Sequence, residues 1–182
     1  TYQRSKEDFY AVVTDIETGK AEYIEIDDLR NEEQMEYLHA SGSMPFLSRP
    51  VCINGKRYLD GGIADSIPIN KIMSMRYDKV IVILTRPENY KKKKTNTLLP
   101  KIYYRRYPRL ISAINNRYRV YNRQLEQVNA LARERKIFVI RPSRLVNIKR
   151  IERNTDKIQE MYDLGREDAA KNLAAMAEYL NS

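Results

Sequence analysis

The sequence predicts a three-layer α/β fold, because strand-like and helix-like segments alternate along it. Two segments carry most of that expectation. Val80-Ile81-Val82-Ile83-Leu84 is an unbroken apolar run after Lys79, the pattern of a strand buried on both faces. Ile111, Ile114, Tyr118, Tyr121, Leu125, Val128 and Ala132 recur every three or four residues, which gathers them on one face of a long helix. Arg117, Arg119, Arg123 and Glu126 fall mostly on other faces. This alternation favours layers over a bundle or a sandwich, although the strands are few and leave a thin sheet.

The elements follow in order. Phe9 to Thr14 reads as a strand, residues 15–20 as a turn with Gly19 free to take positive φ, and Ala21 to Ile26 as an antiparallel partner. Asn31 suits the cap of a short helix with acidic residues in its first turn, running out near Ser41-Gly42-Ser43 ahead of Pro45. Val51 to Tyr58 forms a second hairpin about Asn54-Gly55, a type I′ pair. Pro68 to Met73 reads as a helix with Ser66 as candidate cap. After the long helix, Ile137 to Ile140 is a further strand stopped by Arg141-Pro142. Ile158, Met161 and Tyr162 share a helical face that Gly165 is expected to break, before a last amphipathic helix through Ala169, Leu173, Met176 and Leu180.

Composition bounds the class. The chain has 182 residues, 42% hydrophobic and 31% charged, the balance of a folded domain with a substantial core. No apolar run reaches the roughly 20 residues that cross a bilayer. The opening Thr1-Tyr2-Gln3-Arg4-Ser5-Lys6 leads into no apolar region of a signal peptide. A formal charge of +9 favours anionic partners without choosing among them. Cys52 is the sole cysteine, so it reads as a small apolar filler and no internal disulfide exists. A reducing compartment follows weakly, and the location is expected to be cytoplasmic or peripheral to a membrane.

Tyr58-Leu59-Asp60-Gly61-Gly62-Ile63 carries the most chemistry. Two glycines after a strand allow a tight turn and leave room beside the Asp60 carboxylate, which can accept a hydrogen bond from a catalytic hydroxyl or imidazole. The tripeptide alone is weak evidence and reads better as a bland turn. Around it stand Ala40-Ser41-Gly42-Ser43-Met44-Pro45-Phe46, Val51 through Asn54-Gly55, and Ser66-Ile67-Pro68. Together these segments resemble the C-terminal catalytic region of patatin-like phospholipases, in their bacterial branch. Leu84-Thr85-Arg86-Pro87 with Tyr90-Lys91-Lys92, and Tyr162-Asp163-Leu164-Gly165, extend the likeness, so that it covers about residues 8 to 180.

The resemblance implies a Ser–Asp dyad with Asp60 as its aspartate, Gly61 and Gly62 as its supporting turn, and Ser43 and Pro45 as candidate walls of the substrate cleft. Ser66 departs from the family, where many relatives carry Asn. The family's Gly-x-Ser-x-Gly elbow and Gly-rich oxyanion loop do not occur in these residues. Residues 1–182 are therefore expected to be the C-terminal portion of one patatin-like domain, with a basic connection at 86–109 and the nucleophile-bearing portion upstream. The expected activity is hydrolysis of a carboxylic ester, of lipid or lysophospholipid type or smaller, with this chain inactive alone and its missing N-terminal portion as partner. The alternative is a non-catalytic membrane-binding or interaction module.

Other candidates weigh less. Ser41 and Ser43 fit a cap, a turn or a cleft wall better than a nucleophile. His39 fits a solvated helix end, and Asp15 and Asp65 fit turns or the surface. One His, one Cys and scattered acids give no metal-ligand spacing, and no cofactor is expected. Lys91 to Lys94, Lys101, Arg105, Arg106 and Arg109 interleave with Tyr103, Tyr104 and Tyr107. That stretch fits a solvated face, an anionic membrane surface through 91–109, or, least well, nucleic acid.

Overall fold

The computed structural model describes residues 7–95, 98–149 and 151–182. The reading of residues 1–6 as no signal peptide lies outside the described residues. Two compact units make up the chain: Thr1–Pro68 with Lys92–Gln124, and Ile69–Lys91 with Leu125–Ser182.

The first unit is built on strands β1 (Tyr10–Asp15) and β2 (Ala21–Glu25), helix α1 (Glu32–Gly42), and strands β3 (Val51–Ile53) and β4 (Lys56–Asp60). The strands form one sheet in the order β2-β1-β4-β3, antiparallel throughout. Local chemistry explains each joint. Asp15 closes the first turn by accepting the Glu17 and Thr18 amides at 2.7 and 3.1 Å, and Gly19 sits at φ +65°. Asn54 and Gly55 take φ of 49° and 77°, the paired positive angles of the type I′ turn. Asn31 caps α1 by accepting the Glu33 and Gln34 amides.

Alternation along the strands sends side chains to two separate clusters. Val13, Val51, Ile53 and Tyr58 pack with Ala40 of α1 on one face. Ile16 and Leu59 pack with Ile63, Tyr104, Leu110 and Ile114 on the other. Tyr104 follows the short helix α3 (Leu98–Tyr103), after α2 (Ile69–Ser74) and strand β5 (Ile81–Ile83) in chain order. Leu110 and Ile114 belong to α4 (Pro108–Arg133), whose residues 108–124 lie in the first unit. Proline at its first position costs no hydrogen bond, because that amide has no helical partner.

In the second unit β5 pairs in parallel with β6 (Phe138–Ile140). Helix α5 (Thr155–Asn181), capped by Asn154, packs Tyr179 against Phe138 with ring centroids 5.8 Å apart. The Tyr179 hydroxyl accepts the Val80 amide at 3.0 Å.

Several expectations are corrected. The predicted three-layer sheet with a doubly buried central strand is not what forms: the four-stranded sheet is antiparallel, and 80–84 yields a three-residue strand. Val80 and Leu84 are buried, whereas Ile83 is 74% exposed, so apolar content did not mean burial there. Gly165 does not break α5, which runs unbroken for 27 residues with no atom within 4 Å of a Cβ added at that glycine. A lone glycine lowers helix stability by about 1 kcal/mol, too little against a helix of this length. Cys52 is exposed rather than a core filler. Ser66 does not cap α2, because its hydroxyl donates instead to the Gly62 carbonyl at 2.6 Å.

Two substitutions test this description. Gly165→Ala is expected to stabilise α5 by about 1 kcal/mol, read as a raised thermal midpoint by circular dichroism. Leu110→Ala, at a fully buried position, is expected to cost about 2–5 kcal/mol in denaturant unfolding.

Candidate functional site

Asp60 is the last residue of β4, opposite Val13 of β1, and the chain leaves the sheet there through a 3-10 turn at Gly61–Ile63. Every bond around it serves that exit. The Asp60 amide donates to the Ser43 carbonyl at 2.8 Å, which ties the strand end to the end of α1. The Thr14 hydroxyl, wholly buried, donates to the Asp60 carbonyl at 2.9 Å and accepts the Ala64 amide at 3.3 Å. Asp60 Oδ1 accepts the Gly62 amide at 2.7 Å, so the half-buried carboxylate is oriented by its own turn.

The two glycines are required for different reasons. A Cβ at Gly61 would overlap the Val12 carbonyl of β1, so only glycine lets the turn lie against that strand. A Cβ at Gly62 would stand 3.1 Å from both Asp60 Oδ1 and Arg117 Nη2, and 3.6 Å from the Ser66 hydroxyl. Three polar groups therefore surround the space that Gly62 leaves open.

A second carboxylate fixes the far end of the turn. Asp65 accepts a short hydrogen bond from the Tyr23 hydroxyl of β2 and another from the Gln124 side-chain amide of α4. Gln124, itself buried, accepts the Ile67 amide through its oxygen at 3.2 Å. Burial first, and the Asp65 bond second, push the Tyr23 phenol above its ordinary value. Burial and the Glu22 carboxylate do the same to Tyr58, whose hydroxyl donates to Glu22 at 3.0 Å.

The other candidates fall as follows. Ser43 is buried, its hydroxyl donating to the His39 carbonyl at 2.9 Å, and Pro45 is buried beside it. His39 lies at the end of α1 with its ring largely exposed, 3.5 Å from Glu36. Asp15 is a turn residue, though buried. Asp65 is neither a simple turn nor a surface group. No cluster of three metal-ligating side chains occurs among the described residues. The basic stretch is divided in character: Tyr104 is buried and gives its hydroxyl as acceptor to the Phe46 amide, while Leu98, Leu99, Ile102 and Tyr103 are exposed. Lys92 stands over the Tyr121 ring at 4.6 Å. Among the described residues, no helix is long and apolar enough to cross a membrane.

Thr14, Tyr23, Arg117 and Gln124 were not singled out from the sequence as site residues. For the last two a signal existed: both are polar residues in register with the apolar row Leu110, Ile114, Tyr121, Val128 of α4.

Residues 3–73 match the family of patatin-like phospholipases, and this match contains the whole Asp60 turn. Residues 107–181 match a different family, a domain of unknown function (DUF6363). Each match covers less than half of the chain. Comparison with curated proteins finds no match.

The position of the patatin-like match corrects where the likeness lies. The match lies in the N-terminal part of this chain, not its C-terminal part, and the likeness does not run from 8 to 180. The patatin-like elements are β1 to β4 with α1 and the residues to Met73, not a C-terminal share of a three-layer fold. The segments at 84–92 and 162–165 fall outside the match, the latter inside the second family. With patatin-like residues present from position 3, the expectations of an upstream nucleophile-bearing portion, of a chain inactive without it, and of that portion as a missing partner do not stand.

Two measurements follow from the turn. Gly61→Ala is expected to destabilise the fold by more than about 1 kcal/mol, because backbone of β1 must move, whereas Gly62→Ala displaces only side-chain ends and costs less. The raised Tyr23 and Tyr58 phenols predict alkaline sensitivity. Below their ordinary value of 10.0 both folded and unfolded chains hold these protons. Above it the unfolded chain releases them first, so stability falls as pH rises. Thermal midpoints should therefore drop above pH 10.0, and less steeply in Tyr23→Phe than in the unaltered chain.

Proposed function

We propose that the Asp60 turn is the carboxylate centre of a lipid or lysophospholipid ester hydrolase working by a Ser–Asp dyad. The observation that carries this reading is a half-buried carboxylate, oriented by the Gly62 amide at a strand end, inside the patatin-like match. In the reaction a serine hydroxyl attacks the acyl carbonyl and passes its proton to Asp60. Asp60 returns that proton to the departing alkoxide, so that an alcohol leaves; the ionised Asp60 then takes a proton from the water that cleaves the acyl-enzyme and passes it to the serine oxygen as the acid is released. No imidazole is needed, which agrees with the largely exposed ring of His39.

In this reading Gly61 and Gly62 serve as the turn that presents the carboxylate, and Ser43, whose carbonyl takes the Asp60 amide, and Pro45 are the wall of the cleft. The exposed row Leu98, Leu99, Ile102 and Tyr103 supports a peripheral position at a lipid surface, where such substrates reside. Because Gly-x-Ser-x-Gly does not occur in the 182 residues, the nucleophile is to be located by chemistry rather than by motif.

The test is ester hydrolysis with fluorophosphonate labelling and peptide mass spectrometry of the adduct. Asp60→Asn, isosteric and unable to accept the proton, is expected to lower kcat by at least about 10³-fold without loss of fold. Unchanged turnover in Asp60→Asn, or a folded protein that neither hydrolyses esters nor forms an adduct, would overturn the reading.

A further inference from the structure

Helix α4 carries a cation where its spacing calls for hydrocarbon. Leu110, Ile114, Tyr121, Leu125 and Val128 make its buried row, and Arg117 falls three residues after Ile114 and four before Tyr121. An arginine in that register must lead its guanidinium to polar company, since burying the charge against apolar side chains is costly. Its Nη2 reaches the space above Gly62, at 3.1 Å from the point that Asp60 Oδ1 also approaches to 3.1 Å. Two helical turns further on, Gln124 holds the same loop through Asp65 and the Ile67 amide. One face of α4 therefore meets the Asp60 turn twice, with a charge near the carboxylate and an amide at the far end.

We propose that Arg117 is a positioning residue for Asp60, so that the 107–181 segment, matched only to a domain of unknown function, completes the carboxylate centre of the patatin-like segment. The catalytic part of this inference rests on the hydrolase reading above; the orienting part does not. The Gly62 amide bonds the carboxylate from its own turn, and the guanidinium reaches the open space above Gly62 from a distant helix. The helix-borne charge across the space above Gly62 adds a restraint on the carboxylate to the one that its own turn supplies. Gly62 is glycine in this account because any side chain would occupy the space between the two charges.

The experiment compares Arg117→Met, which keeps bulk and drops the charge, with Arg117→Lys, which keeps the charge. Both are made in the full chain and checked for fold by circular dichroism. Three-bond couplings to the Asp60 side-chain carboxyl carbon, measured by NMR, report its χ1 rotamer independently of any activity. A single rotamer is expected in the unaltered and Lys chains, and averaging in the Met chain. In ester hydrolysis, Arg117→Met is expected to lower kcat about tenfold or more with KM within about twofold, and Lys to recover part of that loss. An Asp60 rotamer unchanged in Arg117→Met overturns the proposal whatever the activity. So does a raised KM at unchanged kcat, which would make Arg117 a substrate contact. Should Arg117→Met not fold, a Lys chain with an averaged Asp60 rotamer overturns it and one with a fixed rotamer supports it. Loss of the hydrolase reading is recognised separately, by Asp60→Asn turning over as fast as the unaltered chain.

Discussion

A strand that ends in a sharp turn leaves backbone amides and carbonyls without ladder partners, and burying them unpaired is costly. The Asp60 turn is the place where this protein meets that constraint. Thr14 answers most of it: one hydroxyl with no solvent exposure donates to the Asp60 carbonyl and accepts the Ala64 amide. The Ser43 carbonyl takes the Asp60 amide, and the Asp60 carboxylate takes that of Gly62. Because each bond comes from a different element, the carboxylate's position is set by β1, the end of α1 and its own turn together. Moving any one of them strands a buried polar group, so the turn is over-determined rather than merely allowed.

The close approach of Gly61 to β1 follows from the same geometry. If the turn stood further from Val12, the Thr14 hydroxyl would not span from the Asp60 carbonyl to the Ala64 amide. Glycine at 61 is therefore a packing requirement of the sheet, while glycine at 62 is a requirement of the polar space around the carboxylate. The pair looks alike in the sequence and does two different things.

What could be read from the sequence divides along the same line between local and distant causes. Asn54-Gly55, the Asn31 cap and the long periodicity of α4 are fixed by neighbours within a few residues, and their elements form where that chemistry places them. Ile83 and Gly165 went otherwise because their outcome depends on context: an apolar run says nothing of what covers it, and one helical glycine is a small cost spread over 27 residues. At the candidate site, Asp60, Gly61 and Gly62 were visible as a motif. Tyr23, Arg117 and Gln124 reach the same turn from 37 to 64 residues away; the register of α4 marks the last two as polar residues on an apolar row, but does not say which turn they meet. Ser66 shows the limit of a local rule, since a hydroxyl two residues before a proline bonded backward to Gly62 instead of forward to a helix.

Family boundaries and physical boundaries do not coincide here. The patatin-like match ends at residue 73, beyond the first unit's Pro68, and the second match begins at 107, well inside that unit. The first half of α4 therefore packs with the patatin-like sheet through Leu110 and Ile114 while lying, by sequence, inside the second match. A segment that supplies core to a neighbouring sheet cannot be a freely exchangeable appendage: removing it would expose Leu59 and Ile63 and unpair the Ile67 amide. The second matched segment is then partly structural by necessity, with Gln124 holding the Ile67 amide from the same buried row.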